Sequence, residues 1–161
     1  MDMVTIRKAT LADDAQLADL NWRSWSPVSE IAPRPPRGRP FFGESDSPEH
    51  YLVAVLDNRV VGYLRLIQPI PVPSCAHVRH IQGFVVDEEF RGNGIGSDLI
   101  ENAVAESRRQ GATRLSLRVL SPNTDARRLY ERMGFVVEGT LRGEFRIDGE
   151  YVDDIVMART V

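Results

Sequence analysis

The 161-residue chain is poor in several things, and each shortage removes a class of protein. Cys75 is its only cysteine, so no internal disulfide can form, and a reducing cytoplasm is the simplest compartment. No apolar run approaches the roughly 20 residues that a membrane helix needs. The N-terminus, Met1-Asp2-Met3-Val4-Thr5-Ile6-Arg7, has neither the basic start nor the apolar stretch of a signal peptide. No block of lysine and arginine stands out against a formal charge of −3, which leaves nucleic-acid binding without an obvious electrostatic basis. The histidines are only His50, His77 and His80. The last two lie three apart on an extended segment, hence on opposite faces, so they are poor joint metal ligands. What remains is a soluble cytoplasmic domain with no call for a metal, a membrane or a nucleic acid. Its length suits one domain spanning residues 1–161, with a sizeable core.

Against these shortages, one stretch is rich in glycine. Arg91-Gly92-Asn93-Gly94-Ile95-Gly96 follows the apolar run 81–86 and opens into a helical pattern that lasts to about Gln110. A strand, a turn stripped of side chains and a helix start together make an anion site, because backbone N–H groups can approach a phosphate and the helix dipole favours negative charge there. Arg91 adds a fixed cation at its mouth. Two phosphate folds fit poorly. The dinucleotide fingerprint spaces its glycines Gly-x-Gly-x-x-Gly and needs an acid at the end of the next strand, whereas residues 115–120 read Leu-Ser-Leu-Arg-Val-Leu. A Walker turn would continue Gly-Lys-Ser/Thr, which is absent.

Around this stretch the periodicity predicts a strand over 4–9 and a helix from Thr10 that fails by Ser26, ahead of Pro27. Residues 27–48 hold six of the ten prolines together with Arg34, Arg37 and Arg39, so no long regular element survives there. Either this is a solvated loop or it is a substrate lid or partner loop, and Phe41-Phe42 keep the second reading open. Residues 51–56 and 60–67 form a hairpin about Asp57-Asn58, and 76–86 is extended. A strand over 115–119 and a helix over 124–133 follow. Extended segments are expected at 135–138, 141–147 and 151–158, the last two flanking Asp148-Gly149. The order is that of a mixed α/β domain whose helices cover a central sheet.

Residues 85–96 resemble the acetyl-CoA signature of the GCN5-related N-acetyltransferases, whose core is Arg/Gln-x-x-Gly-x-Gly/Ala. Asn123, Ala126, Leu129-Tyr130 and Gly134-Phe135 resemble the family's second signature. The resemblance covers residues 4–158, and the ending looks like the small-molecule, amino-acid or protein-N-terminus branches. It implies a mixed sheet of about seven strands, splayed at the acetyl-CoA site, and acetyl transfer from acetyl-CoA to a primary amine by direct attack on the thioester. It also implies that Gly92, Asn93, Gly94, Ile95 and Gly96 cradle the pyrophosphate with Arg91, while Phe84, Val85 and Val86 pair with the pantetheine arm. Tyr130 would be the general acid to the departing thiolate, or else a core aromatic. Asn123 would bond the cofactor, cap a helix, or both.

The general base departs from the family. One glutamate position of relatives is Arg118 here, which cannot serve. Another is His80, expected on one strand face with Gln82, Phe84 and Val86. Its imidazole could take the ammonium proton directly or through water. A purely structural histidine and a water relay through Gln82 or backbone carbonyls are the other readings. Glu44, Asp46, Glu144 and Asp153 offer acid that could attract a cationic acceptor. A catalytically degenerate acyl-CoA sensor and a nucleotide-dependent oxidoreductase are the rival functions. The acceptor is not legible, and a homodimer is admissible for the family.

Overall fold

The computed structural model describes residues 3–161; Met1 and Asp2, which open the stretch read above for a signal peptide, lie outside the described residues. Seven strands form one mixed sheet. They are β1 (Thr5–Lys8), β2 (Tyr51–Leu56), β3 (Arg59–Ile67), β4 (Val78–Val86), β5 (Arg114–Leu120), β6 (Val136–Ile147) and β7 (Glu150–Thr160). Their order is β1-β2-β3-β4-β5-β7-β6, and every neighbouring pair is antiparallel except β4 and β5. Three helices, α1 (Asp14–Ser24), α2 (Ile95–Arg109) and α3 (Thr124–Arg132), cover the faces.

Each face has its own apolar cluster. On one, Leu17 and Leu20 of α1 pack on Val53, Val60 and Tyr63. On the other, Ile95, Leu99, Ile100, Ala103 and Val104 form the apolar stripe of α2 and meet Leu64, Leu66, Ile81, Leu115 and Leu117. Tyr130 of α3 joins the second cluster. Asn58 and Asp57 take positive φ, 61° and 49°, which suits the two-residue turn between β2 and β3. A short 3-10 turn at Leu11–Asp13 precedes α1. There Asp13 accepts the Thr10 N–H at 2.8 Å and holds the Arg7 guanidinium at 2.8 and 2.9 Å.

Several expectations need correction. Residues 135–138 and 141–147 are not separate strands. β6 runs continuously over 12 residues, and its irregularities at 137/139 and 141/145 are absorbed as bulges against β7. β4 begins at Val78 rather than residue 76, because a 3-10 turn occupies Pro73–Cys75, so His77 precedes the strand.

The 27–48 segment is held down rather than merely solvated. Arg34 and Arg37 stack on the Trp22 ring at 3.6 and 4.1 Å. The Arg34 guanidinium also donates to the Trp22 carbonyl, and Trp25 Nε1 donates to Ala32 O at 2.9 Å. At the segment's far end, the N–H groups of Phe41 and Phe42 donate to the Asp14 carboxylate, and both rings meet Tyr51 edge-on. These contacts drape the segment over α1 and leave a hollow beneath it.

Candidate active site

The site begins where the only parallel pair of strands among the described residues parts. β4 and β5 pair from Val78 with Arg114 to Ile81 with Leu117, and no further. Beyond Ile81, β4 stays paired with β3 on its other side as far as Val86 with Gly62. The edge of residues 82–86 facing β5 therefore has no ladder partner. Such an edge offers hydrogen bonds to an extended, amide-bearing chain.

The end of β4 is locked by Asp87, which is fully buried. Its N–H donates to Val61 O at 2.8 Å. Its carboxylate accepts the Glu89 N–H and guanidinium bonds from Arg23 and Arg59 at 3.2 and 3.3 Å. Burial pushes this carboxyl up, but the Arg23 and Glu89 hydrogen bonds outweigh it and hold it below the ordinary range. Nothing local in the sequence marks Asp87 as the joint between β3, β4 and α1, since its two arginines lie 64 and 28 residues away.

The glycine turn follows. Gly92 and Gly94 have φ of 81° and 80°, the left-handed region in which a side chain is strained. Gly94 is the N-cap of α2 and makes no side-chain cap, so the first N–H groups of the helix keep their bonding capacity. Asn93 Nδ2 donates to Phe90 O at 3.0 Å and closes the turn, while Arg91 Nε donates to Val86 O at 3.2 Å and ties its guanidinium to the strand end. Gly96 has a different reason for being glycine. A Cβ there would sit 3.0 Å from Leu129 Cδ2 and 3.3 Å from Phe84 Cζ, so its absence lets α2 approach α3 and the strand.

A cavity of about 660 Å³ fills the splay, and Phe84, Asn123, Tyr130, His80 and Ser116 line it. Tyr130 meets Phe84 and Phe135 edge-on, both with centroids 6.0 Å away. Burial pushes its hydroxyl pKa up, so the phenol keeps its proton. Asn123 caps α3 by accepting the Ala126 N–H at 3.3 Å, the capping role open from the sequence, and it also faces the cavity.

His80 does not share a face with Phe84, contrary to expectation. Leu64 pairs with Phe84 and Arg65 with Gly83, but Leu66 pairs with Ile81 and Ile67 with His80, so a bulge at Gln82 resets the alternation. Phe84 and Val86 pack with the α2 cluster, whereas His80, next to the core residue Ile81, points to the α1 side. There its Nδ1 lies 2.8 Å from Ser116 Oγ, its partner across the parallel pair. Burial first, then the nearby Arg118, lowers its pKa, with Asp154 opposing. Asp154 is buried and binds Arg118 at 3.0 Å. Ser116 and Asp154 carried no signal in the sequence. The resulting imidazole is neutral at physiological pH and can accept a proton.

A second cavity, of about 800 Å³, lies under the 27–48 segment between α1 and the sheet. Trp22, Phe41, Tyr51 and Tyr63 give it aromatic walls, and it adjoins the first at Glu30, Gln82 and Gly83. Of the four acids expected near an acceptor, none lines either cavity. Asp46 accepts the Tyr51 hydroxyl and binds Arg65, and Asp153 accepts the Gly143 N–H.

Comparison with known proteins gives the family and the fold. A model of the acetyltransferase (GNAT) family matches residues 15–135. The L-amino acid N-acetyltransferase AaaT of Escherichia coli (strain K12) is 34% identical over 110 residues, which cover 67% of this chain and 66% of that protein. The chain thus matches just under two thirds of that relative's length. Among solved structures, smu.2055 of Streptococcus mutans UA159 has a TM-score of 0.84 at 28% identity, covering 97% of this chain and 98% of that one. The acetyltransferase-type structure of yncA from Salmonella typhimurium, solved with its cofactor acetyl-CoA, has a TM-score of 0.81 at 20% identity and covers 98% and 94%.

Proposed function

The chain belongs to the acetyltransferase (GNAT) family, an acyltransferase family, and from that premise we propose that it is an N-acetyltransferase moving the acetyl group of acetyl-CoA to a primary amine. The observation that carries this reading is the coincidence of three features at one place. They are the helix start behind Gly92 and Gly94, the unpaired edge of residues 82–86, and a cavity between them and Tyr130. Residues 1–161 form a single domain of this kind on the same reading.

The N–H groups of residues 92–96 bind the pyrophosphate, with the Arg91 guanidinium at the mouth. Phe84, Val85 and Val86 take the pantetheine arm along the open edge, and Asn123 borders the same cavity. Acetyl-CoA supplies an activated thioester: the amine nitrogen forms the new C–N bond, the C–S bond breaks, and CoA leaves as a thiolate. Positioning supplies much of the rate in such a transfer. His80, held by Ser116 in its neutral form, takes a proton from the ammonium. Tyr130, whose hydroxyl keeps its proton, gives one to the thiolate and recovers it from the second proton that the nitrogen sheds as the amide forms. The acceptor is an amino acid or another small amine, arriving from the α1 side of the sheet. A protein N-terminus is the second form this acceptor can take.

Isothermal titration with acetyl-CoA tests the reading. Binding in the micromolar range is expected, and its absence at several hundred micromolar would sink both the enzyme and the acyl-CoA sensor. A thiol-release assay with an amine panel then separates those two.

A further inference from the structure

One carboxyl stands where the two cavities meet. Glu30 lines both the cleft that contains His80 and Tyr130 and the larger hollow under the 27–48 segment, and among the described residues it is the only ionisable side chain common to them. The other acids of these cavities are already engaged. Asp14 accepts the N–H groups of Phe41 and Phe42, Asp19 binds Arg23 and Arg37, and Asp154 binds Arg118. Gln82, also shared, has its side-chain oxygen bonded by Arg65. Among the described residues, the Glu30 carboxylate has neither a hydrogen bond nor an ion pair, while its backbone N–H is fixed to Ser26 O at 2.9 Å.

Burial without a counter-charge raises this carboxyl above its ordinary value. A partly buried, unpartnered carboxylate costs folding free energy. That cost has a use if the partner is a cation that arrives with the substrate. The hollow is of a size that holds a small molecule, and Tyr63 and Trp22 give it rigid aromatic walls. Resting on the N-acetyltransferase reading above, we propose that Glu30 receives the ammonium of the acceptor, and that the acceptor is a small cationic primary amine whose body lies in the aromatic-walled hollow.

Glu30 is thus the residue that selects a charged amine and delivers it to the side of the sheet where His80 stands. It explains why the proline-rich segment is pinned at both ends. Arg34 and Arg37 stack on Trp22, the N–H groups of Phe41 and Phe42 are held by Asp14, and Glu30 precedes both ties in the chain.

The test uses a matched pair of probes, 2-phenylethylamine, a cation at neutral pH, and O-benzylhydroxylamine, an uncharged amine of the same shape. Each is titrated into protein saturated with CoA, and acetyl-CoA is titrated separately. Wild-type protein should bind the cation below about 10 mM and at least about tenfold more tightly than its neutral counterpart. Glu30→Gln should weaken the cation by about tenfold or more, abolish the preference between the two, leave acetyl-CoA affinity within about twofold, and leave the thermal midpoint unlowered. Glu44→Gln, an exposed acid lining neither cavity, should change none of these.

The proposal is overturned if wild-type protein binds acetyl-CoA yet shows no preference for the cation or no binding of it. It is equally overturned if Glu30→Gln leaves the preference intact, or if Glu44→Gln has the same effect. Because the preference is measured on wild-type protein first, poor folding of a variant does not protect the idea. Failure of acetyl-CoA to bind refutes instead the reading on which it rests.

Discussion

Gly96→Ala isolates the packing part of the glycine turn from its backbone part. The new Cβ would meet Leu129 Cδ2 at 3.0 Å and Phe84 Cζ at 3.3 Å, against an ordinary carbon contact of about 3.5–4.0 Å. The Leu129 and Phe84 side chains, or α2 itself, must therefore shift by a few tenths of an ångström. Overpacking of this kind costs about 1–3 kcal/mol, and the better helix propensity of alanine returns at most about 1. A net loss of about 1 kcal/mol should lower the thermal midpoint by about 2–4 °C in a domain of this size. The cause is checked by repeating the change in a Leu129→Ala background, where the nearer clash is gone. Urea unfolding of the four proteins should give a coupling of about 1 kcal/mol, with Gly96→Ala close to neutral in the second background. Gly94→Ala is the contrast. Its Cβ meets nothing within 4 Å, so the cost comes from φ of 80° alone, about 1–2 kcal/mol, and should be the same in both backgrounds. Strict additivity of Gly96→Ala and Leu129→Ala would refute the assignment of Gly96 to helix packing.

Four other outcomes are expected. Tyr130→Phe should lower kcat by about 100-fold with acetyl-CoA affinity unchanged, since the hydroxyl makes no hydrogen bond among the described residues; full kcat would remove the general-acid role. For His80, burial and then Arg118 depress the pKa, so kcat/KM should be flat near pH 7 and fall as pH drops through that lowered value, below about 6.5. His80→Asn should cut kcat by about 100-fold and lose that limb, and an unchanged acid limb in the variant would exclude His80 as the base. Trp22→Ala removes the platform under Arg34 and Arg37, so trypsin should cut at Arg37–Gly38 in the variant and spare the wild type. Asp13 and Asp87 are held below the ordinary carboxylate range, and Glu106, bonded by Arg109, is held at about 2. Depressed folded values contribute stability that is complete above the unfolded values of about 4 and is lost as pH falls through the folded ones. Urea midpoints measured from pH 5 to pH 2 should therefore fall, with a shallower slope in Asp13→Asn.

The parts of this site legible in the sequence are those whose cause is local. The positive φ at Gly92 and Gly94 needs glycine whatever surrounds it, the apolar stripe of α2 repeats at helical spacing, and Asn123 caps a helix three residues ahead of Ala126. Periodicity fails where a single residue is inserted. The bulge at Gln82 moves His80 to the opposite face from Phe84, and counting by twos cannot see it because the compensation lies in β3. The same failure divided β6 in two.

Glu30 and Asp87 are illegible for a further reason, since their neighbours are set by tertiary packing. Asp87 is one acid among Asp87-Glu88-Glu89 until Arg23 and Arg59 converge on it, and Glu30 is one acid in a proline-rich stretch until Trp22 and Asp14 fold that stretch over the sheet. On the function proposed above, donor recognition would use backbone N–H groups and turn conformation, which a short motif must encode locally. Acceptor recognition, on the same proposal, would use side chains brought together across the α1 face. Spacing therefore points to the donor side of the reaction, and the acceptor side becomes readable only once the carboxyl of Glu30 is seen without a partner at the meeting of two cavities.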